Sequence, residues 1–505
     1  MSMIFNALFG GFIVLLFYFL WSRRRFYYLF YQMPGPAGYP IVGMAHKLTK
    51  REEILPIFLK MERIYGRKFL SWLGPFPFLV VAEPELAETI LTSPDCINKA
   101  FIYDALDDGT GRGLFSLKHP VWNHHRKLLN PAFSHKVLLS FLPIFNREAD
   151  NLNIDLNEVV GAGEVDISTI IQKCTLNVAA QTTMGRQMAN VKDHNDDLLP
   201  CFQSILETMT SMLFSPWLRN KLFLKMTSHY PLYLKSKNNL RSFIQNLISE
   251  KLAQNEAESN KDYQSSSETD VDIRKNPNIF IDRAIDLVKT GDFTWKEVED
   301  ESNVIVFGAF ETTSNTVGYT LMLLSMFPKY QDKVYDEAQS IFQAKGSDTD
   351  LTYEDTQQMT YLDMVLNETM RVMAPVPVIA RETMRDVTLP NGIVLPKGLQ
   401  VAIDIFNMHR DPEYWGPEST TFNPDNFLPA NMAGKHPYTF IPFTKGLRNC
   451  IGWRYALISS KIILSKLLQK YRFTTQFDFR DLQFVEDITI KLRKYPLLEV
   501  HLREQ

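Results

Sequence analysis

A chain of 505 residues, 45% of them hydrophobic and 22% charged, can bury a large core. Its formal net charge of -3 gives no general pull toward nucleic acid, so no nucleic-acid partner is expected. The cysteines Cys96, Cys174, Cys201 and Cys450 show no C-x-x-C spacing and suggest no pairing, which fits a reduced, cytosol-facing body. No Gly/Ser/Pro-rich linker divides the chain and no internal repeat is visible. The expected organisation is an anchor with a basic flank (1–25), a Pro/Gly-rich hinge (26–45) and one large domain (46–505).

Met3 to Trp21 is a run of about nineteen mostly apolar residues, just enough to cross a bilayer core as a helix. Arg23, Arg24 and Arg25 follow at once, and the positive-inside rule keeps this flank cytosolic and the N-terminus lumenal. A cleaved signal would carry basic residues before the run and a small-residue cleavage site, and both are missing. Met33-Pro34-Gly35-Pro36-Ala37-Gly38-Tyr39-Pro40 reads as a semi-rigid elbow. Phe69 to Ala82, rich in β-branched and aromatic residues, predicts a hairpin.

Trp122 and Arg126 sit four apart on a predicted helix ending before Pro131 and share one face, a pattern usually met as surface packing. His124 and His125 are adjacent, point to different faces, and have no obvious third metal ligand. Val165 to Glu256 is helical by apolar spacing, with breaks expected at Pro200, Pro216 and Pro231. The polar run Asn255 to Asp272 is expected as a solvated loop. Thr294-Trp295-Lys296-Glu297 is a capping box, and no proline follows until Pro328, so about thirty helical residues are expected. Mid-helix lies Gly308-Ala309-Phe310-Glu311-Thr312-Thr313, where glycine and consecutive threonines break the local helix rules, as functional sites do. Pro328 to Phe342 predicts an amphipathic helix, and Tyr361 to Met373 a helix placing Glu368 and Arg371 on one face. Pro375 to Asp404 alternates β-branched residues with turns at Asn391-Gly392 and Pro396-Lys397-Gly398, which predicts hairpins. His409-Arg410-Asp411-Pro412 reads as a structural turn.

The stretch that organises the chain is Phe443-Thr444-Lys445-Gly446-Leu447-Arg448-Asn449-Cys450-Ile451-Gly452. A soft thiolate without a nearby second ligand suits an iron or copper-type centre and argues against structural zinc. Gly446 and Gly452 let the backbone approach a flat cofactor, and Arg448 is placed to hold a carboxylate of the same ligand. Trp453 begins a predicted helix whose N-terminal dipole favours the thiolate.

The pattern F-x-x-G-x-R-x-C-x-G resembles the haem-binding loop of the cytochromes P450, whose haem is held by a Cys thiolate that favours O–O cleavage. The resemblance extends to the anchor, the hinge and most of the remaining chain. It implies a mainly α fold with a smaller β-rich portion behind an N-terminal transmembrane anchor. It implies haem b with Cys450 as axial iron ligand, in a cofactor site that includes Phe443 and Gly452. Trp122 and Arg126 match a W-x-x-x-R motif reaching a haem propionate, and Arg381 and Arg448 take similar roles. Glu311 and Thr312 match the acid–threonine proton relay, with Ala309 standing where glycine is usual. Glu368 and Arg371 match the buried E-x-x-R pair, whose usual arginine partner is replaced by Asn426. Val376 to Ala380 would line the pocket, and Phe202, Met209, Met212, Leu213, Phe214, Trp217 and Phe223 suit its roof.

The implied reaction is insertion of one atom of O2 into a lipophilic substrate, whether fatty acid, lipid hormone or xenobiotic. Electrons would come from NADPH through cytochrome P450 reductase, with cytochrome b5 as a further candidate partner. Lys127, Lys445, Arg454 and Lys461 are candidates for the docking face. The implied location is the endoplasmic reticulum membrane, with the catalytic domain cytosolic. The family's fatty-acid ω-hydroxylase clan is the nearest in pattern. Many of its members bear a haem-esterifying glutamate where Gly308 stands here, so the haem is expected to be non-covalent apart from the Cys450–iron bond. Two other readings are a peroxide-rearranging isomerase, against which Glu311–Thr312 argues, and a catalytically silent haem-binding relative.

Overall fold

The computed structural model describes residues 2–503 except 37, 40–41, 49, 186–194, 265–277, 347–348 and 486. Its first helix, α1 (Ser2–Ser22), is apolar on all sides and exposed along almost its whole length. Ile4–Ser22 has a mean hydropathy of 2.1. At 1.5 Å per residue its length is about 29 Å, close to a bilayer's hydrocarbon thickness. One such helix could anchor the chain to a membrane.

The expected hinge begins as a helix, α2 (Arg24–Gln32), docked on the body. Leu29 is buried, Phe26 and Phe30 pack beside it, and Arg25 grips Asp386 with two hydrogen bonds of 2.6 and 3.1 Å. The Pro34 carbonyl then accepts from Leu70 N at 2.9 Å. A Cβ on Gly35 would lie 1.9 Å from the Leu70 oxygen, so only glycine permits that approach.

After α3 (Arg51–Tyr65) comes the expected hairpin, β1 (Lys68–Leu73) with β2 (Phe76–Val81). The chain continues through β3 (Asn98–Lys99), α4 (Val121–Leu129), α5 (Leu142–Asn157), α6 (Ser168–Met184), α7 (Asn195–Phe214) and α8 (Tyr230–Gln264). Pro216 and Pro231 stand at element starts, where a missing N–H costs nothing. Pro200, by contrast, lies inside α7 and does not end it. One ladder bond is lost near the helix start, while Leu198, Leu199, Cys201 and Phe202 bury around it. The polar run expected as a loop from Asn255 is helical as far as Gln264, because its Glu, Ala and Lys residues are good helix formers. Its remainder from 265 lies outside the described residues.

The spine is α9 (Trp295–Met326), started by the expected capping box, with Thr294 N donating to Glu297 at 2.7 Å. Against it pack α10 (Pro328–Lys345), α11 (Thr360–Val372) and α12 (Trp453–Lys470) in one continuous apolar core. Strands β4 (Val378–Glu382) and β7 (Gln400–Asp404) complete a five-stranded sheet ordered β1-β2-β7-β4-β3, in which only β2–β7 is parallel. The Asn391-Gly392 turn joins β5 (Val387–Thr388) to β6 (Val394–Leu395), with Gly392 at φ 83°. Two further pairs close the chain: β8 (Tyr471–Thr474) with β11 (Glu499–Leu502), and β9 (Phe484–Val485) with β10 (Lys491–Leu492). The architecture is mainly α with a smaller β-rich portion, as expected.

Glu368 and Arg371 on α11 are fully buried and paired at 2.7 Å through the guanidinium Nε and Nη2. Arg371 also donates to the carbonyls of His409 (2.9 Å) and Thr421 (2.8 Å). Glu368 accepts from Asn423 N at 2.7 Å and from the Asn426 amide at 3.1 Å. Burial pushes Glu368 up, and its hydrogen bond and charge partnership with Arg371 work against that. Arg371→Met would strand a buried carboxylate and should cost about 3–5 kcal/mol. Asn426→Ala removes one bond to a charged group and should cost about 1.5–3 kcal/mol. Urea unfolding followed by circular dichroism compares them. A smaller loss for Arg371→Met than for Asn426→Ala contradicts this ranking.

Candidate active site

The cysteine loop is shaped by local backbone geometry. Thr444 adopts φ 57°, unusual for a threonine, and Gly446 follows at φ 76°. A Cβ on Gly446 would fall 2.0 Å from the Leu91 carbonyl oxygen. Cys450 N donates to Phe443 O at 3.0 Å, closing the loop. The buried ring of His409 supports it from behind, its Nε2 accepting from Ile441 N at 2.9 Å. Burial drops that imidazole to about 3, so it stays neutral and keeps its acceptor. The loop is thereby tied to Arg371, which bonds the carbonyl of the same His409.

Cys96, Cys174 and Cys201 are buried, whereas the Cys450 thiol is exposed although protein surrounds it deeply. Its accessible surface therefore opens onto space inside the body. Burial raises the thiol, and the Gly452 backbone N–H and Arg126 act to lower it. A Cβ on Gly452 would meet nothing within 4 Å, so the loop leaves room there.

Cations gather beside the loop. Trp122 and Arg126 both project from α4; Trp122 is buried with the Arg448 guanidinium 4.1 Å above its ring. Arg126 donates to Asn449 at 3.2 Å, and Arg448 donates to the Leu117 carbonyl. Arg381 is buried on β4, directly opposite the buried Lys99 of β3. Like charges facing each other across a strand pair are unfavourable. Burial, then Arg381 and Arg448, hold Lys99 well below its ordinary value. Burial, then Arg381, brings Arg448 down to about 9. Arg381 Nη2 and Arg448 Nε and Nη1 are buried without a hydrogen-bond partner. Unsatisfied buried donors of one sign call for an anionic ligand. Sequence reading missed Lys99, because a two-residue strand has no periodicity and its pairing with Arg381 is a tertiary fact.

The relay residues are separated by their helix faces. Gly308 is exposed in the middle of the largely buried α9, with nothing within 4 Å of an added Cβ. The Thr312 hydroxyl donates to its carbonyl at 2.9 Å. Glu311 is buried on another face, held by Lys491, by Thr489 at 3.0 Å and by Asn315 at 3.3 Å. No hydrogen bond joins Glu311 to Thr312 among the described residues. Lys491 is raised although burial opposes it, chiefly by the Glu311 charge. His125 has an acid partner: its Nδ1 lies 2.7 Å from Glu301, which also accepts from Leu114 N at 2.9 Å.

A cavity with about 1030 Å³ of empty space, its open mouth included, lies against the sheet. All five residues Val376 to Ala380 line it, with Phe58, Trp72, Phe115 and others. Of the seven expected roof residues, Leu213 and Phe214 reach it. Phe202, Met209 and Met212 face the core, while Trp217 and Phe223 are exposed. One docking candidate is corrected: Lys461 is buried against Asp363 (2.7 Å) and the Thr356 carbonyl. Lys127 and Arg454 are exposed.

A strained cysteine loop, a deep accessible thiol and buried cations with unpartnered donors thus meet on a mainly α frame. Residues 33–495 match the family model "Cytochrome P450". A Drosophila melanogaster protein described as probable cytochrome P450 313a4 is 54% identical over 96% of this chain and 97% of its own. Another from that organism, probable cytochrome P450 313a3, is 40% identical over 96% of each chain. Cytochrome P450 4c3 of the same organism is 30% identical over 95% of this chain and 91% of its own. The chain belongs to the cytochrome P450 family, whose members are monooxygenases that bind haem b through a cysteine thiolate.

Gly446→Ala should strain the loop by about 1–3 kcal/mol from its positive φ alone, with the Leu91 clash added. Thermal unfolding of the purified protein measures this. A variant as stable as the parent contradicts the stated role of Gly446.

Proposed function

We propose that Cys450 is the axial ligand and that Lys99, Arg126, Arg381 and Arg448, with Trp122, surround the haem propionates. The observation that carries this is the set of unpartnered buried donors on Arg381 and Arg448 beside an accessible deep thiol. Two carboxylates supply what the cations lack. Phe443 shapes the loop by accepting from Cys450 N, and Gly452 leaves space for a flat ring. Haem held there would supply reductive activation of O2 for insertion of one oxygen atom into a lipophilic substrate.

The chain's own part is to bind, orient and move protons. Thr312 Oγ is the proton-carrying atom on the open face of α9, next to Gly308. Glu311 Oε1, which accepts from Lys491 and Thr489, is the carboxylate behind it; it would take up a proton from Lys491 or water and pass it toward Thr312 on leaving those partners. Ala309 is partly buried against the core and does not interrupt α9. Gly308 offers no carboxyl group for an ester, and Glu301 is committed to His125 and Leu114, so the haem is non-covalent apart from the Cys450–iron bond. Acidic organic extraction should release it unmodified.

The proposed setting is the endoplasmic reticulum membrane, with α1 as anchor, N-terminus lumenal and the body cytosolic. Its domains are the anchor 1–25, the hinge 26–45 and the catalytic unit 46–505. NADPH–cytochrome P450 reductase is the proposed electron donor, with Lys127 and Arg454 on the docking face, and cytochrome b5 a second partner. Exposed Trp217, Leu222, Phe223 and Met226 supply further membrane contact.

Cys450→Ser should abolish the red-shifted Soret band of the ferrous–CO complex, and retention of the band refutes the assignment. Thr312→Ala should keep that band yet divert reducing equivalents to peroxide. An unchanged peroxide yield per NADPH, measured with reductase, removes Thr312 from the relay. Lys99→Met should speed haem transfer to apomyoglobin roughly tenfold or more, as expected for one charge-assisted bond of about 1.5–3 kcal/mol. Transfer at the parental rate excludes Lys99 from the propionate site.

A further inference from the structure

The cavity wall has an asymmetric charge pattern. Most of it is apolar or aromatic, including Leu48, Phe58, Trp72, Phe78, Phe115 and Phe214. Among the described residues that line it, Asp404 and Asp487 are the acidic ones, and no lysine, arginine or histidine joins them. Burial pushes both carboxyls up to about 6, and the Asn407 bonds at Asp404 and Arg51 at Asp487 work against that. Both are built in firmly. Asp404 caps the turn after β7, accepting from Asn407 N (3.0 Å) and the Asn407 amide (2.9 Å). Asp487 accepts from Ile488 N at 3.0 Å and from the Thr210 hydroxyl.

Neighbouring cations do not reverse the sign. Arg51 Nη2 is committed to Asp487 at 2.5 Å, and its Nη1 lies 3.8 Å from Glu207. Lys491, on the same hairpin, is taken by Glu311. Arg51 Nε is buried without a hydrogen-bond partner, and three positive groups, Arg51, Lys491 and Arg219, stand against the four acids Asp404, Asp487, Glu207 and Glu311. Arg219 spends its donors on backbone carbonyls, including that of Met212 at 3.2 Å. Lys99 lies behind the rings of Tyr103 and Phe115, within 4.3 and 5.1 Å of their centres, in the cluster beside the cysteine loop.

We propose that this cavity selects a neutral lipophile bearing a hydroxyl group and discriminates against free carboxylates, fatty acids included. A carboxylate entering here would lose water, meet like charge and find no cation on the wall. A hydroxyl instead donates to a carboxylate oxygen, and each aspartate keeps lone-pair capacity beyond its present bonds. The apolar remainder of the ligand fills the aromatic wall, the usual division of labour in a binding pocket. The inference rests on the monooxygenase reading of the site and narrows its substrate class.

The test uses full-length ferric holoenzyme titrated at neutral pH with dodecan-1-ol and with dodecanoate, which share chain length and differ in head group. Soret shifts are read, with equilibrium dialysis of both ligands alongside because binding need not perturb the spectrum. The alcohol should bind at least tenfold more tightly. In Asp487→Asn the gap should narrow, through at least threefold stronger binding of dodecanoate. Dodecanoate binding as tightly as the alcohol to the parent protein, or an alcohol that fails to bind, overturns the proposal. An Asp487→Asn gap that stays unchanged overturns the role given to Asp487. Neither reductase nor NADPH is present, so a failure of the monooxygenase reading would appear separately, as NADPH consumption without oxygenated product.

Discussion

The buried pair Glu368–Arg371 is the constraint on which the rest hangs. Taking two charges out of water is costly, and one ion pair alone does not offset it. Here all the remaining Arg371 donors are used, by the carbonyls of His409, Ser419 and Thr421, and Glu368 accepts further from Asn423 and Asn426. Those partners lie on the irregular chain between β7 and the cysteine loop, which has few long elements of its own. The pair therefore acts as a fastener for backbone that could not otherwise hold one path. From His409 the hold passes to Ile441 N and so to the loop carrying Cys450. Replacing the usual arginine by Asn426 keeps one hydrogen bond and removes a charge, leaving Glu368 and Arg371 as a one-to-one pair.

What could be read in advance follows from how local each signal is. The capping box Thr294/Glu297, the proline-free run to Met326 and the hairpin from Lys68 to Val81 are written in contiguous residues, and they form as expected. The cysteine loop is legible because glycine, arginine and cysteine occur at fixed spacing within ten residues. Pro200 misled because a helix interior tolerates one lost bond when large side chains bury on either side of it. The roof residues misled because apolar spacing cannot say which neighbour a helix face meets; only Leu213 and Phe214 turn to the cavity. Lys461 looked like surface charge, yet it lies among buried residues of α12 and reaches Asp363.

The orientation of Glu311 shows the same limit at the site. Its position next to Thr312 in sequence suggests a contact, but neighbouring helix residues point about 100° apart. The direction of the carboxylate is set by Lys491 and Thr489, some 180 residues downstream. A proton relay built on Glu311 is thus governed by the terminal hairpin as much as by α9. That hairpin also carries Asp487 to the cavity wall, where α3 and α7 meet it through Arg51 and Thr210. The acid behind Thr312 and the wall that meets the substrate are two ends of one short segment.

The strand pair β4–β7 separates charge along its length. At one end Val378 pairs with Asp404, a residue of the cavity wall. Three residues further along β4, about 10 Å at the rise of a strand, Arg381 stands opposite Lys99 in the cation cluster beside the cysteine loop. An anion in the cavity would be repelled locally yet drawn toward those cations. If the cavity were cationic too, small carboxylates could enter and compete for the donors proposed above for the haem propionates. Acids on the cavity side oppose that route, while the unpaired cations beyond keep their demand for an anion. On the proposed assignment, the stability lost by burying like charges side by side is offset when the prosthetic group is in place. Such an arrangement couples completion of the fold to occupancy of the site.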